Sequence, residues 1–376
     1  DKQVYRFEDH GGRDVAMRFD LTVPFARFMA AHVNELYLPF KRYHMAKVFR
    51  GENTQRGRYR EFMQCDFDIV GTDTASADFE ILMMMHDAFS ALGISGVSIR
   101  IAHRGVFNRF LASMGIEDSA EILRSVDKLS KIGRQQVRSL LSEIAGQKNA
   151  DAILDYIGAE GSFGEVLAQI EKLAGGEAED TRRLKELKSC MKACGLEERF
   201  FLDPSITRGL DYYTGVVFET FLDRLPGIGS VCSGGRYNNL ASLYTKQELP
   251  GVGASIGLDR LMAALEELGD GAEEESAVQA LVFAMDEVGM GEYHAVAREL
   301  RSAGIRTEVY PEAKKLGIQF GFAEKKGAVA AVILGEEERA AGTVTVKDLV
   351  KRKNYEGLSR SEAVTLVAQL TGKGQD

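Results

Sequence analysis

Apolar and polar positions change rhythm several times along this chain. In the first hundred residues short β-prone runs at 4–7 and 15–19 flank a turn-like stretch with Gly11 and Gly12, which predicts a pair of strands. Thr22 is placed as the cap of a helix running through Phe25, Phe28, Met29 and Leu36, with Pro24 near its start, where a missing N–H costs little. Two long strands follow, 42–50 and 61–70, joined by the polar loop 51–59; residues 76–91 then carry Phe79, Leu82, Met83 and Phe89 at helical spacing. From 105 to 199 the β-branched runs vanish. Helical spacing takes over, as in Ile122, Val126 and Leu129 or Val166, Leu167, Ile170 and Leu173, with a break at Gly175-Gly176.

Strand texture returns at 216–222 and a helix is predicted over 258–268. The acidic stretch 269–276 reads as a linker. Beyond it strands (279–284, 306–310, 329–334, 343–347) alternate with helices (290–303, 314–324, 360–371), the signature of an α/β domain with a largely parallel sheet. The pattern gives an α+β domain (1–104 and 200–268) built on an antiparallel sheet flanked by helices. A helical insertion (105–199), the linker (269–276) and a C-terminal α/β domain (277–376) complete the chain.

Composition narrows the function. The chain has 376 residues, 45% hydrophobic and 27% charged, which suits two or three globular domains. No apolar run approaches the ~20 residues that span a bilayer, so no membrane role is expected. Asp1 falls within strand-like sequence, and the chain is read as lacking its natural start. A net charge of −9 argues against a general nucleic-acid coat but leaves room for a local basic patch. Four cysteines are too few for a disulfide framework. Cys190 and Cys194, four apart, are read as structural thiols rather than a zinc site, and the chain as cytoplasmic.

Candidate chemistry lies in four segments. Residues 41–60 hold seven Lys/Arg against the single acid Glu52, a local reversal that suits a phosphate-bearing partner or a solvated basic hairpin. Along 62–70 alternation sets Gln64, Asp66 and Asp68 opposite Met63, Cys65, Phe67 and Ile69, while Arg50 shares its strand face with Ala46 and Val48. That polar row is a ligand floor or the wet face of a sheet. Next, Arg208-Gly209-Leu210-Asp211-Tyr212-Tyr213-Thr214-Gly215 combines donors and acceptors with room for close backbone approach. In Cys232-Ser233-Gly234-Gly235-Arg236-Tyr237 a glycine pair is read as opening a helix whose amides meet an anion or polar group. Finally, Gly251-Val252-Gly253-Ala254-Ser255-Ile256-Gly257-Leu258-Asp259-Arg260 is a glycine-punctuated strand entering a helix; its spacing is neither a dinucleotide fingerprint nor a P-loop.

These segments resemble the histidyl-tRNA synthetase family of class II aminoacyl-tRNA synthetases. Residues 47–71 are similar to class II motif 2, 208–219 and 233–240 to two histidine-specific signatures, and 251–265 to motif 3. Residues 18–30 are closest to a eukaryote-like branch, and motif 1 is expected before Asp1 and missing, which puts dimer strength in question. The resemblance implies a class II catalytic core, a C-terminal anticodon-binding domain, a homodimer, and a ligase that activates L-histidine with ATP and Mg²⁺ and passes it to the 3′ end of tRNA(His). It assigns Arg50, Arg208 and the α-phosphate to one another, Arg260 to the far end of ATP, and Glu52 and Arg58 to adenine and the γ-phosphate. It assigns the histidine α-amino group to Asp20, Thr22 and Gln64 and the imidazole to Asp68 and Tyr213. Tyr212, Gly234 and Tyr237 complete the histidine pocket, with Mg²⁺ carried by ATP rather than by a protein cage. Asp20 and Asp68 stand where many bacterial members carry Glu, and an acid one methylene shorter must sit closer or work through water. Two rivals remain: a non-catalytic paralogue serving as regulatory subunit of ATP phosphoribosyltransferase, and a sensor of uncharged tRNA. Arg50, Arg208, Arg260 and the terminal domain argue against the first, and the phosphate-binding arginines against the second.

Overall fold

The computed structural model describes residues 3–116, 118–206, 212–270 and 277–372. The chain divides into two compact units, Asp1–Gly271 and Ala272–Asp376.

In the first unit β1 (Arg6–Glu8) and β2 (Asp14–Ala16) form an exposed antiparallel pair, shorter than the runs at 4–7 and 15–19 suggest. Helix α1 (Thr22–His32) follows. Thr22 is its first helical residue rather than its cap; Asp20 takes that role, its Oδ1 accepting from the Val23 N–H at 3.0 Å. Leu36 lies beyond the helix, after a 3₁₀ turn. Strands β3 (Phe40–Phe49) and β4 (Glu61–Val70) make the long hairpin, and α2 (Ala75–Ala91) is capped by Thr74, whose side chain accepts from the Ala77 N–H. Strand β5 (Val97–His103), which the sequence pattern did not single out, leads into seven helices: α3 (Arg104–Ser113), α4 (Ala120–Val126), α5 (Leu129–Ile132), α6 (Arg134–Ala145), α7 (Gln147–Ile157), α8 (Phe163–Leu173) and α9 (Glu179–Ala193). The chain returns through β6 (Phe200–Leu202), β7 (Val216–Leu222), β8 (Cys232–Arg236), β9 (Gly251–Gly257) and α10 (Leu258–Leu268).

Among the described residues seven strands form one sheet in the order β3-β4-β9-β8-β7-β5-β6, antiparallel throughout except for β5 beside β6. Ile69 on β4 packs with Ile81, Leu82, Met85 and Phe89 of α2 and with Ile99 and Ile101 of β5. The period of two along β4 therefore puts Gln64, Asp66 and Asp68 on the face away from that core. Register aligns Arg42 with Asp68, Ala46 with Gln64 and Val48 with Phe62, so Arg50 continues the polar face.

One expectation fails here. Gly234 and Gly235 open no helix; both lie within strand β8. A Cβ on Gly234 would stand 2.2 Å from the Gly253 carbonyl oxygen, and one on Gly235 2.8 Å from that of Val216. The pair serves close approach of neighbouring strands, not a helix start.

The second unit contains β10 (Ala280–Val282), α11 (Met290–Ser302), β11 (Thr307–Val309), α12 (Leu316–Lys325), β12 (Ala330–Ile333), α13 (Glu336–Ala341), β13 (Val344–Asp348), β14 (Lys353–Leu358) and α14 (Arg360–Leu370). Its sheet, β11-β10-β12-β13-β14, is mixed rather than largely parallel: β10 pairs parallel with β11 and β12, then an antiparallel hairpin extends the edge. Ala280 and Val282 bury with Val296 and Leu300 of α11, while Leu281 and Phe283 bury with Ala323 of α12. A sheet covered on both faces needs an unbroken apolar strand, which explains 280–284. Among the described residues no helix is long and apolar enough to cross a membrane.

Candidate active site

A cavity of about 270 Å³ opens over the polar face of the first unit's sheet. Ten of the expected residues line it: Asp20, Thr22, Arg50, Glu52, Arg58, Gln64, Tyr212, Tyr213, Gly234 and Arg260. They come from the start of α1, the β3–β4 hairpin, the segment before β7, strand β8 and the first turn of α10. Arg208, with the rest of 207–211, lies outside the described residues.

The cations are held by backbone carbonyls. Arg50 Nε donates to the Phe19 carbonyl at 3.1 Å, and the guanidinium lies 4.4 Å from the Phe19 ring centroid and 5.2 Å from that of Phe62. Burial lowers its pKa, with Asp20 and Glu52 pulling the other way. Arg260 donates through Nε to Gly57 at 3.2 Å and through Nη1 to Ser230 at 2.8 Å. Gly57 has φ +69°, and a Cβ there would stand 3.1 Å from Arg260 Cγ, so glycine suits both the turn and the close approach. The turn into α10 is tied to β4, since Asp259 Oδ2 accepts from the Met63 N–H at 2.7 Å. Arg58 pairs with Glu52 at 3.3 Å.

Charge elsewhere on the hairpin is answered locally. Lys41 meets Glu80 at 2.6 Å, Lys47 meets Glu61 at 2.5 Å and Arg56 meets Glu267 at 3.1 Å. The basic run at 41–60 is therefore largely compensated in three dimensions, Arg58 included through Glu52, and Arg50 and Arg58 are its arginines that line the cavity.

Toward Tyr212 and Tyr213 the pocket turns acidic and aromatic. Asp20 is buried, and burial raises its pKa although Arg50 opposes. Tyr212 and Tyr213 meet edge to face at 5.0 Å, and Tyr237 stands 6.0 Å from Tyr212. Burial pushes the Tyr213 phenol up, so it stays a neutral donor and acceptor. Asp68 and Tyr237 do not line the cavity. Tyr237 Oη donates to Asp68 Oδ1 at 2.6 Å, and Arg42 pairs with Asp68 Oδ2 at 2.9 Å while stacking 3.9 Å over Phe25. The shorter acid is thus engaged one layer behind the pocket, and burial raises its pKa.

Residues that sequence reasoning missed include Phe62, Glu219, Ser233 and Ser255. Strand alternation would have found Phe62, on the face of Gln64. The others need register: Glu219 lies opposite Ser233, and Ser233 opposite Ser255. Arg236 was also missed as a scaffold. Its Nε donates to Asp78 at 2.8 Å and its Nη1 to the Thr72 carbonyl at 3.1 Å, while Arg183 of α9 shares Asp78 at 3.0 Å. The Arg236 carbonyl accepts from the Thr214 N–H at 2.7 Å, which braces the segment after Tyr213.

Among the described residues no cluster of three His, Cys, Asp or Glu side chains is placed to hold a metal. Cys65, Cys190, Cys194 and Cys232 are free thiols.

Comparison with known proteins completes the picture. A family model described as "Histidyl-tRNA synthetase" matches residues 1–261, and one described as "Anticodon binding domain" matches 279–370. The chain is 54% identical over 333 residues to the histidine–tRNA ligase of Treponema denticola, covering 87% of this chain and 74% of that one. It is 49% identical over 365 residues to the histidine–tRNA ligase of Rhodopirellula baltica, covering 95% and 82%. A crystal structure of histidyl-tRNA synthetase from Nostoc superposes with a TM-score of 0.78 at 33% identity, covering 97% of this chain and 86% of that one. These relatives are bacterial and lend no support to the expected nearness to a eukaryote-like branch.

Proposed function

The chain belongs to the histidyl-tRNA synthetase family, and from that premise we propose how its cavity performs the histidine–tRNA ligase reaction. The activity is activation of histidine with ATP followed by transfer to the 3′ end of tRNA. The histidine carboxylate attacks the α-phosphorus, a P–O bond forms, and pyrophosphate leaves with the electrons of the broken bond. The substrate brings its own nucleophile, so the protein's work is positioning and charge stabilisation. Arg50 faces the α-phosphate, Arg260 and Arg58 the outer phosphates, and Glu52 the adenine. Arg208 is the third contact on the α-phosphate, on the strength of its signature segment alone. Asp20, Thr22 and Gln64 take the α-ammonium group, and Tyr212 and Gly234 shape the pocket. Tyr213 and Asp68 meet the imidazole, Asp68 from one layer behind, where Tyr237 and Arg42 hold its carboxylate.

One observation carries this assignment: Arg50, Arg58 and Arg260 share a single cavity with Asp20, Thr22 and Gln64. Mg²⁺ fits as a passenger of the triphosphate: Glu219 lines the cavity, and Mg²⁺ binds through one or two carboxylates plus phosphate oxygens. When bound it neutralises the outer phosphates.

A homodimer is supported by exposed apolar side chains beside the sheet's outer strand: Tyr37 is 94% exposed, Tyr43 80% and Met45 63%, both of the latter on β3. Free thiols favour a cytoplasmic setting. The regulatory-subunit and sensor readings gain nothing from the named relatives. Arg208→Ala tests the assignment: histidine-dependent ATP–pyrophosphate exchange falls by orders of magnitude while the protein stays folded, and near-normal exchange removes Arg208 from the site.

A further inference from the structure

We propose that Ser255 and Asp66 are positioning residues that fix the Gln64 amide with its oxygen toward the substrate's α-ammonium group. This rests on the assignment of Gln64 above and extends it to a pair behind it.

The β4–β9 register sets Asp66 opposite Ser255 and Gln64 opposite Gly257. Gly257 offers no side chain, so Gln64 turns to the diagonal neighbour, and its Nε2 donates to Ser255 Oγ at 3.1 Å. In that register the Ser255 hydroxyl faces the Asp66 carboxylate, whose buried Oδ1 has no other donor, and it holds the Asp66 pKa down against burial. A hydroxyl has one hydrogen, and a carboxylate only accepts. Once that hydrogen is given to Asp66, Ser255 can meet Gln64 only as an acceptor. The amide nitrogen must therefore face Ser255, and the amide oxygen must face away from it.

That oxygen, Gln64 Oε1, is buried and has no hydrogen-bond partner. Gln64 and Ser255 line the cavity together with Asp20 and Thr22, so an incoming ammonium group supplies the missing donor. With the amide reversed, its two N–H groups would face the same ammonium, a donor against a donor. Asp66 itself is 3% exposed and does not line the cavity, so it acts through Ser255 rather than on the substrate.

The test uses the full chain at pH 8, with Ser255→Ala and Asp66→Ala compared with the parent in ATP–pyrophosphate exchange. The KM for histidine and the inhibition constant of histidine's des-amino analogue, imidazolepropionate, are measured side by side, with the KM for ATP. Either substitution is expected to raise the histidine KM about 10-fold, the cost of one misaligned hydrogen bond to a charged group, and to leave imidazolepropionate and ATP unchanged. Equal weakening of imidazolepropionate would show a general loss of pocket shape and overturn the inference, as would an unchanged histidine KM in Ser255→Ala. Should Asp66→Ala fail to fold, Ser255→Ala decides alone. A parent protein without histidine-dependent exchange would instead overturn the functional reading beneath it.

Discussion

Burial sets the character of single residues in the first unit. Asp66 has its carboxyl pushed up to about 7, chiefly by burial and the neighbouring Asp68. Its folded form therefore holds a proton between about pH 4 and 7 that the unfolded chain has released, so its contribution to stability is present at low pH and lost as pH rises through 7. The shift is worth at most ~4 kcal/mol. His103, held down to about 4 by burial, works in the opposite sense over much of the same range, so the parent's own pH profile hides both. The difference between proteins reveals the first: Asp66→Asn melts above the parent at pH 8, and the gap closes toward pH 4. A pH-independent gap would contradict this account of Asp66. For substrate recognition, Tyr213→Phe removes one of the two groups assigned to the imidazole. A site that must hydrogen-bond its ligand loses much when one partner goes, so the histidine KM rises well above the parent's. An unchanged KM would take Tyr213 out of the pocket.

Among the elements, what the sequence made legible was periodicity. The alternation along β4 placed Gln64, Asp66 and Asp68 on one face, and the helical spacing of 76–91 anticipated α2 closely. Register was not legible, because no local pattern tells which strand lies beside which. Glu219, Ser233 and Ser255 entered the picture only through pairing. The glycine pair of β8 misled for a related reason, since a glycine needed for strand approach looks locally like one needed for a turn, whereas the glycines of β9 were read correctly as part of a strand. Their rigidity is testable: a Cβ on Gly253 would stand 2.1 Å from Asp68 Oδ1, so Gly253→Ala breaks the Asp68–Tyr237 layer and abolishes histidine binding. Tight binding by that variant would show the layer to be dispensable. Arg236 and Arg183 were opaque because their partner, Asp78, is remote in sequence from both. Asp78→Ala leaves two guanidinium groups with only the more exposed Asp73 as shared counter-charge and costs ~1.5–3 kcal/mol of stability, read by denaturant unfolding. A loss under ~1 kcal/mol would show that water or Asp73 replaces it.

At the scale of the whole molecule, the two units have separate cores. Removing residues 277–376 is expected to impair tRNA charging far more than adenylate formation; equal losses would deny the second unit a role in reading tRNA. The first unit gathers its chemistry from segments about two hundred positions apart, and the sheet is what makes them neighbours. ATP–pyrophosphate exchange driven by each of the twenty amino acids in turn, in the parent and in Arg50→Ala and Arg260→Ala, probes that gathering most directly. The account predicts exchange with histidine alone and its loss by orders of magnitude in both variants. Exchange driven by another amino acid, or variants that retain the parent's rate, would contradict it.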